Sequence, residues 1–162
     1  MKKSAVRLRA PRPGDMGRVV QLHGELYARE FGYDRTFEAL VAGIVAGFVR
    51  DFVPGRERCW IAEMDGEMVG SVFLVRKSRT VSKLRLLIIH PKARGMGLGA
   101  RLTHACIRHA RKAGYRKMQL WTQSHLAAAR SIYERAGFRR VRSAPHRSFG
   151  KRLVAETWEL KL

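Results

Sequence analysis

A glycine-rich segment, Arg94–Gly99, carries the residue types in this chain that are best suited to binding a ligand. It lies between an apolar run, Leu84–Ile89, and a helical pattern over Leu98–Ala113. Glycines let the backbone take positive φ and approach a ligand closely, while free N–H groups at a helix N-terminus attract an anion. The spacing therefore predicts a phosphate-binding loop between a strand and a helix, with Arg94 and Arg101 adding positive charge.

Two other kinds of phosphate loop fit these residues poorly. A P-loop needs Lys and then Ser or Thr after its second glycine, whereas Ala100-Arg101 follows Gly99. A dinucleotide fingerprint starting at Gly95 lacks an acidic residue near Leu120–Gln123 to hold a ribose. The Arg-x-x-Gly-x-Gly spacing instead resembles the acyl-CoA pyrophosphate loop of the GNAT superfamily of N-acetyltransferases. A glycine-rich turn without a ligand is the alternative.

A second segment, Ala129–Phe138, resembles the late helix of the same family, with its aromatic residue and its Gly-Phe end. The similarity covers residues 58–160 well and the N-terminal helices only by pattern. The stretches Lys83–Ile89, Leu120–Thr122 and His146–Leu160 are more similar still to acetyltransferase domains fused behind MarR-type DNA-binding domains. We expect no MarR domain here, because the first strand begins within ten residues of Met1.

The resemblance implies that acetyl-CoA is the co-substrate. Backbone groups of Leu87–Ile89 would pair with the pantetheine arm like a neighbouring strand, and an N–H near Ile89 would face the thioester oxygen. Gly97 and Gly99 would be the most exacting positions of the loop, because a Cβ would block the pyrophosphate. The full set of implied cofactor-binding residues is Leu87, Ile88, Ile89, Arg94, Gly95, Met96, Gly97, Leu98, Gly99, Ala100 and Arg130.

Tyr133 and His146 are the candidate catalytic residues, the first from the resemblance and the second from its chemistry. Tyr133 matches the family tyrosine assigned as general acid to the CoA thiolate. A phenol pKa of about 10 against about 8.5 for a thiol makes that transfer uphill by about 2 kcal/mol, so hydrogen-bond donation describes the role better. A tyrosine that only fills the core is the alternative. For the general base, His146, Glu25, Glu30 and water stay open, and His146 is chosen because its pKa near 6.5 suits the task.

Composition excludes several classes of protein. The 162 residues predict one domain, 1–162, and 46% hydrophobic residues without a long apolar run predict no membrane span. The start at Met1 leads into Arg and Pro, so we expect a cytoplasmic protein. The net charge of +20 would attract CoA phosphates, acidic substrates and nucleic acid alike. Because the basic residues are scattered, nucleic acid is expected to bind only through non-specific charge.

Cysteine and histidine spacing argues against a metal. Cys59 and Cys106 are predicted to be reduced thiols in the core, since their spacing is not that of metal ligands. His104 and His109 are five residues apart and would not share a helix face. We therefore predict that no metal is bound.

The pattern of apolar residues predicts a β-α-α-β-β-β-α-β-α-β-β order and an α+β fold, with a mixed, mostly antiparallel sheet flanked by helices, as in GNAT proteins. Two helices should join near Gly32–Asp34, a hairpin should turn at Asp65-Gly66, and Ser124 should cap the late helix. The predicted strands are Val6–Arg9, Cys59–Met64, Met68–Val75, Val81–Ile89, Lys117–Thr122, Phe138–Val141 and Leu153–Leu160. Homodimerisation through a sheet edge is compatible with this order.

The leading hypothesis is an acetyl-CoA-dependent N-acetyltransferase that acts on a primary amine of a small molecule, a peptide or a protein. Four aromatic residues either wall its acceptor site or belong to the core: Tyr27, Phe31, Tyr33 and Phe37. The alternative is a basic CoA-binding module with weak or no catalysis, associated with nucleic acid or an acidic partner. Against it, the chain shows no aromatic-interleaved RNA-reading motif, and no helix-turn-helix is indicated before residue 58.

Overall fold

The structure is a computed structural model that describes residues 4–162. Residues 1–3 lie outside the described part. The start at Met1, on which the expected cytoplasmic location rests, lies there as well. The elements follow the predicted order: β1 (Arg7–Arg9), α1 (Asp15–Phe31), α2 (Arg35–Arg50), β2 (Arg58–Met64), β3 (Glu67–Arg76), β4 (Val81–Ile89), a 3₁₀ turn (Pro91–Ala93), α3 (Leu98–Lys112), β5 (Lys117–Gln123), α4 (Ala127–Arg135), β6 (Arg139–Ser148) and β7 (Lys151–Lys161).

The strands form one seven-stranded sheet in the order β1-β2-β3-β4-β5-β7-β6. Within residues 4–162, β4 and β5 are the only parallel neighbours, and the other pairs are antiparallel. Helix α3 makes the crossover that a parallel pair requires. This arrangement confirms the predicted mixed, mostly antiparallel sheet of the GNAT fold.

Helices cover both faces of the sheet. Helices α1 and α2 pack on one face, where Val19, Val41 and Phe48 meet Ile61 and Phe73. Helices α3 and α4 pack on the opposite face. They contact the strand residues whose side chains point away from α1 and α2. Each face therefore has its own apolar core, and the sheet lies between them.

Strands β4 and β5 separate soon after they meet. Their pairing extends only over residues 81–83 and 117–119, although both strands continue further. A bulge in β4 accompanies the separation: Leu86 has φ of +52°, and the hydroxyl of buried Ser71 donates to its carbonyl at 3.0 Å. The extra residue changes the sheet face to which the following side chains point. Leu87 therefore packs on the α3 and α4 side.

Two local predictions were wrong. Ser124 does not cap α4, because its N–H donates to Val154 O and continues the pairing of β5 with β7; the N-cap is Leu126. The strand predicted over Phe138–Val141 begins one residue later and runs to Ser148, past Pro145. A proline is tolerated there because β6 is an edge strand of the sheet formed by residues 4–162.

The structure confirms the prediction that both cysteines are free thiols in the core. Cys59 and Cys106 are buried free thiols, and burial raises the pKa of both. Among residues 4–162 no group of three or more His, Cys, Asp or Glu side chains is arranged to hold a metal ion. In the same part of the chain, no helix is both long enough and apolar enough to cross a bilayer.

Candidate functional site

A cavity of about 440 Å³ passes through the sheet where β4 and β5 separate. On the α1 and α2 side it is walled by Tyr27, Tyr33 and Phe37, and on the other side by Ala129 and Tyr133 of α4. Its walls in the sheet come from residues 83–87 of β4 and 119–123 of β5. The predicted aromatic residues thus line this cavity and also belong to the core of their helix layer, except that Phe31 is absent from the cavity wall.

The last residues of β4 present unpaired backbone groups to the gap. His90 N–H donates to Val69 O at 2.7 Å, on the β3 side of the strand. Because successive amides of a strand point to opposite sides, the N–H of Ile89 points away from β3. On that side β5 has already separated, so the N–H of Ile89 faces the opening. The side chains of Leu87, Ile88 and Ile89 meanwhile pack in the core.

The glycine loop joins β4 to α3 with an exposed backbone. Gly95 and Gly97 have φ of +74° and +72°, and a Cβ on either would meet open space. Gly97 is the N-cap of α3, and no side chain caps the helix. The N–H groups of the first turn, from Leu98 to Ala100, therefore have no intrahelical acceptor, and no acidic residue stands in that turn. This end of α3 suits an anion.

Gly99 has a different reason to be glycine. Its φ is not positive, and a Cβ there would lie 2.5 Å from Ile132 Cδ1 and 3.9 Å from Ile89 Cγ1. The residue therefore lets α3 approach α4 and the end of β4. The contact also places the glycine loop beside the residue that precedes Tyr133 in α4.

The two arginines at the loop bind protein groups in this structure. Arg94 Nη1 and Nη2 contact the Glu30 carboxylate at 2.5 and 2.8 Å. The hydrogen bond from Arg94 is the main cause of a lowered pKa at Glu30. This carboxylate is therefore ionised at neutral pH and is a poor general base. Arg101 Nη1 donates to Val6 O at 2.8 Å. Met96 between the two arginines is 41% exposed.

Arg130 lies within α4 and contacts the sheet. Its Nε is 3.0 Å from Oε1 of Glu156, without hydrogen-bond alignment, and its Nη1 donates to Ser124 O at 3.3 Å. Glu156 is 1% exposed and also accepts from Arg140 and Trp158. These contacts fix α4 to β7, and they engage the guanidinium that was predicted to bind cofactor.

Tyr133 is 6% exposed and lines the cavity from the α4 side. Burial raises the pKa of its phenol, and the nearby Tyr27 and Cys106 add to the shift. The hydroxyl therefore stays protonated over the working pH range and can donate a hydrogen bond. Its ring packs against Phe138, so it serves the core as well.

His146 lies in strand β6, beyond the end of the strand predicted over Phe138–Val141. Its Nε2 is 2.8 Å from Gln123 Oε1, and its Nδ1 is 2.9 Å from Ser148 Oγ. Gln123 lines the cavity and His146 stands behind it. Glu25, the remaining acidic candidate, is exposed and accepts from Gln21.

Comparison with known families matches this geometry. The model of the acetyltransferase (GNAT) domain matches residues 28–159 of the chain. The chain belongs to the GNAT acetyltransferase family. The match spans the predicted loop and late helix and reaches into α1.

Relatives of this GNAT chain resemble it over part of their length. Mycothiol acetyltransferase of Streptomyces avermitilis is 35% identical over 80 residues, which are 49% of this chain and 26% of that protein. The uncharacterized N-acetyltransferase YhfO of Bacillus subtilis is 36% identical over 83 residues, 48% of this chain and 56% of that protein. The chain thus spans about a quarter and about half of these two proteins.

The GNAT fold extends over nearly the whole chain. The yncA acetyltransferase of Salmonella typhimurium, whose structure holds its cofactor acetyl-CoA, superposes with a TM-score of 0.78. The superposition covers 97% of this chain and 94% of that chain at 19% sequence identity. At this level of identity the likeness shows a shared fold.

Sequence reasoning missed four residues of this GNAT site. Leu86 forms the bulge and Ser71 binds its carbonyl, and neither residue type signals a bulge. Lys83 and Arg85 reach the cavity from β4, and their signal was visible as two cations at alternating positions of an apolar strand.

Proposed function

We propose that this chain is an acetyl-CoA-dependent N-acetyltransferase that transfers an acetyl group to a primary amine of a small molecule, a peptide or a protein. The observation that carries the proposal is the opening between β4 and β5, where a cavity reaches Tyr133 and β4 continues into the glycine loop. Membership of the GNAT family supports the same reaction. The proposal does not assign the substrates of the relatives to this chain.

The residues fit acetyl-CoA in two ways. Backbone groups of Leu87 and Ile89 on the open side of β4 would pair with the amides of the pantetheine arm. The arm would take the position of β5, which no longer pairs with this part of β4. The uncapped first turn of α3, with Gly95, Met96 and Gly97 before it, would donate N–H groups to the pyrophosphate. Arg94 would add positive charge once it leaves Glu30. Arg130 stays a predicted cofactor contact and would first have to leave Glu156.

Bound acetyl-CoA would supply an acyl carbon attached to a thiolate leaving group. In the proposed reaction the amine nitrogen bonds to that carbon, the carbon–sulfur bond breaks, and the amine loses a proton. The N–H of Ile89 would stabilise negative charge on the acyl oxygen, and the Tyr133 hydroxyl would donate to the departing sulfur. Most of the rate would come from positioning, because both groups are fixed by strand and helix.

His146 stays the predicted general base. It would reach an amine in the cavity through a water or after Gln123 turns away, since Gln123 lies between the histidine and the cavity. Water alone is the remaining route for the proton, because Glu30 is paired with Arg94 and Glu25 is exposed.

The direct test measures thiol release from acetyl-CoA in the presence of single amines from four classes: amino acids, polyamines, aminoglycosides and peptide N-termini. The matched control is the same reaction without amine, which records hydrolysis. Amine-dependent thiol release with formation of the N-acetyl product would support the proposal. Tight CoA binding with no amine-dependent release from any class would contradict it and favour the basic binding module.

Four finer predictions accompany this function: a single domain over 1–162, a cytoplasmic location, closeness to the MarR-fused acetyltransferase domains, and a homodimer formed through a sheet edge. The edge strands available for a dimer are β1 and β6. Nucleic acid would bind only through the net charge of +20. Such binding should disappear near physiological salt, which a titration of affinity against salt would measure.

A further inference from the structure

Two basic side chains, Lys83 and Arg85, stand side by side in the cavity wall. They occupy alternating positions of β4 before the bulge, and so they share the sheet face that α1 and α2 cover. Both side chains are half-buried. Among residues 4–162 neither makes a salt bridge or a side-chain hydrogen bond with protein, whereas Arg7, Arg9, Arg94 and other cations of the chain do.

Burial without a partner is unfavourable for a cation. It lowers the pKa of Arg85, and it lowers the pKa of Lys83 together with repulsion from Arg85 and Lys77. A buried charge is normally paired or hydrogen-bonded, because desolvation is otherwise uncompensated. The two cations therefore have no anionic partner among the described residues.

Nearby carboxylates are engaged with other groups. A second cavity of about 610 Å³ shares Lys83 and Arg85 with the first and contains Asp51 and Glu57. Asp51 pairs with Arg50 at 2.9 Å, and Glu57 accepts from the backbone N–H groups of Val53 and Arg76. The main cavity has no Asp or Glu in its described lining.

Next to the two cations, the wall contributed by α1 and α2 is apolar and aromatic, whereas Gln119 of β5 lies beside Lys83 in the sheet. Leu40 and Ile44 of α2 line both cavities, and Tyr27 and Phe37 extend the apolar wall toward Tyr133. An amine whose nitrogen lies at Tyr133 would therefore have both an apolar wall and the two cations within the same cavity.

We infer that the acceptor is an amine that also carries a carboxylate or a phosphate, and that Lys83 and Arg85 bind this anionic group while the aromatic wall binds an apolar body. The inference rests on the proposed acetyltransferase function and names the substrate class of that site. It disfavours polycationic acceptors such as polyamines and aminoglycosides, for which the cavity offers repulsion and no carboxylate.

The experiment compares matched amines with and without the anionic group. The pairs are L-phenylalanine with phenethylamine, L-leucine with isoamylamine, and O-phosphoethanolamine with ethanolamine, and spermidine is the polycation. Hydrogen bonds to charged groups predict that the anionic member has a kcat/KM about 10- to 100-fold higher. The carboxylate and phosphate pairs show which anion the site prefers.

The variants are Lys83→Gln and Arg85→Gln, and the matched control is Lys112→Gln. Lys112 lies exposed in the last turn of α3, so its loss changes the net charge equally without touching the cavity. In both cavity variants the preference for the anionic member should fall toward one. The control should keep the full preference.

Binding gives a readout that does not need turnover. N-acetyl-L-phenylalanine should raise the melting temperature of the wild type and of Lys112→Gln, and should not raise that of Arg85→Gln. Turnover of phenethylamine as fast as L-phenylalanine would overturn the inference and leave the acetyltransferase function intact. Equal stabilisation of wild type and Arg85→Gln would overturn it whether or not any amine of the panel is acetylated.

Discussion

Tyr133 and Glu30 are the two residues at which the proposed chemistry can be tested most simply. One presents a buried phenol to the cavity, and the other holds Arg94 of the glycine loop. The phenol is a hydrogen-bond donor whose pKa is raised by burial, while the carboxylate is ionised because of its arginine partner. Each therefore has a single protonation state at neutral pH, and its removal has a predictable sign.

Replacing Tyr133 by Phe should lower kcat by roughly 10- to 100-fold and leave the KM for acetyl-CoA nearly unchanged, because a donor to the leaving sulfur acts mainly in the transition state. The matched control is Tyr115→Phe, which removes a buried hydroxyl that donates to Arg56 O away from the cavity. Steady-state kinetics and melting temperatures of both variants decide the case. An unchanged kcat in Tyr133→Phe would assign this tyrosine to the core alone.

Replacing Glu30 by Gln should strengthen CoA binding by about 2- to 10-fold, because the change frees Arg94 and removes a negative charge near the phosphate loop. Glu25→Gln is the control: it makes the same charge change on the same helix, but Glu25 is exposed and accepts from Gln21. Titration calorimetry measures both affinities. Weaker binding in Glu30→Gln would indicate that the pair positions the loop instead of competing with the ligand.

At the scale of elements, the junction of β4, α3 and α4 determines the site. Gly99 of α3 lies against Ile132 of α4 and close to Ile89 of β4. This contact brings the uncapped start of α3, the open side of β4 and Tyr133 into one place. A change in the packing of the two helices should therefore move the loop and the tyrosine together.

Gly99→Ala should destabilise the fold by about 1 kcal/mol, because its Cβ would lie 2.5 Å from Ile132 Cδ1. Adding Ile132→Val deletes that methyl group and should recover more than half of the loss, although Ile132→Val alone is itself destabilising by about 1 kcal/mol. Urea unfolding of the four proteins in this double-mutant cycle measures the coupling. Strict additivity would mean that the helices do not meet at this point.

The sequence allowed most of these elements to be predicted, because their signals are local. Strand Val81–Ile89, the start of α3 at Leu98 and the turn at Asp65-Gly66 follow from apolar periodicity and from glycine. The bulge at Leu86 had no such signal, since leucine seldom takes positive φ and is held there by Ser71, a residue distant in sequence. The bulge lies just after the last residue of β4 that pairs with β5, so a tertiary contact accompanies the separation of the two strands.

His146 and Ser124 were misplaced for a related reason. Both lie where long-range pairing extends a strand beyond its local signal: Ser124 N–H donates to Val154 O, and His146 pairs with Leu153. The family motifs pointed to Tyr133 and the glycine loop. The basic pair at Lys83 and Arg85 became visible as a site only when the cavity was known.

At the scale of the whole molecule, stability should depend on pH through His23. This histidine is 2% exposed, its Nδ1 donates to Val19 O at 2.7 Å, and burial lowers its pKa from 6.5 to about 4. The folded pKa lies below the unfolded one, so the unfolded chain binds more protons between these values. The associated stability is present above pH 6.5 and is lost as the pH falls toward 4.

The free energy of unfolding should therefore fall by about 2 kcal/mol between pH 7.5 and pH 5 on account of His23 alone. The comparison is with His23→Gln, in which that share of the loss should disappear. Urea unfolding of both proteins at the two pH values gives the difference. Parallel losses in wild type and variant would contradict the assignment.

The central claim is that the backbone of the loop before α3 binds the diphosphate of CoA, and calorimetric titration with CoA tests it most directly. Gly97→Val and Gly55→Val form a matched pair, because both glycines have positive φ, of +72° and +78°, and open space around them. We predict saturable binding to the wild type and to Gly55→Val, and at least about tenfold weaker binding to Gly97→Val. No heat with the wild type, or equal affinity in the two variants, would contradict the claim.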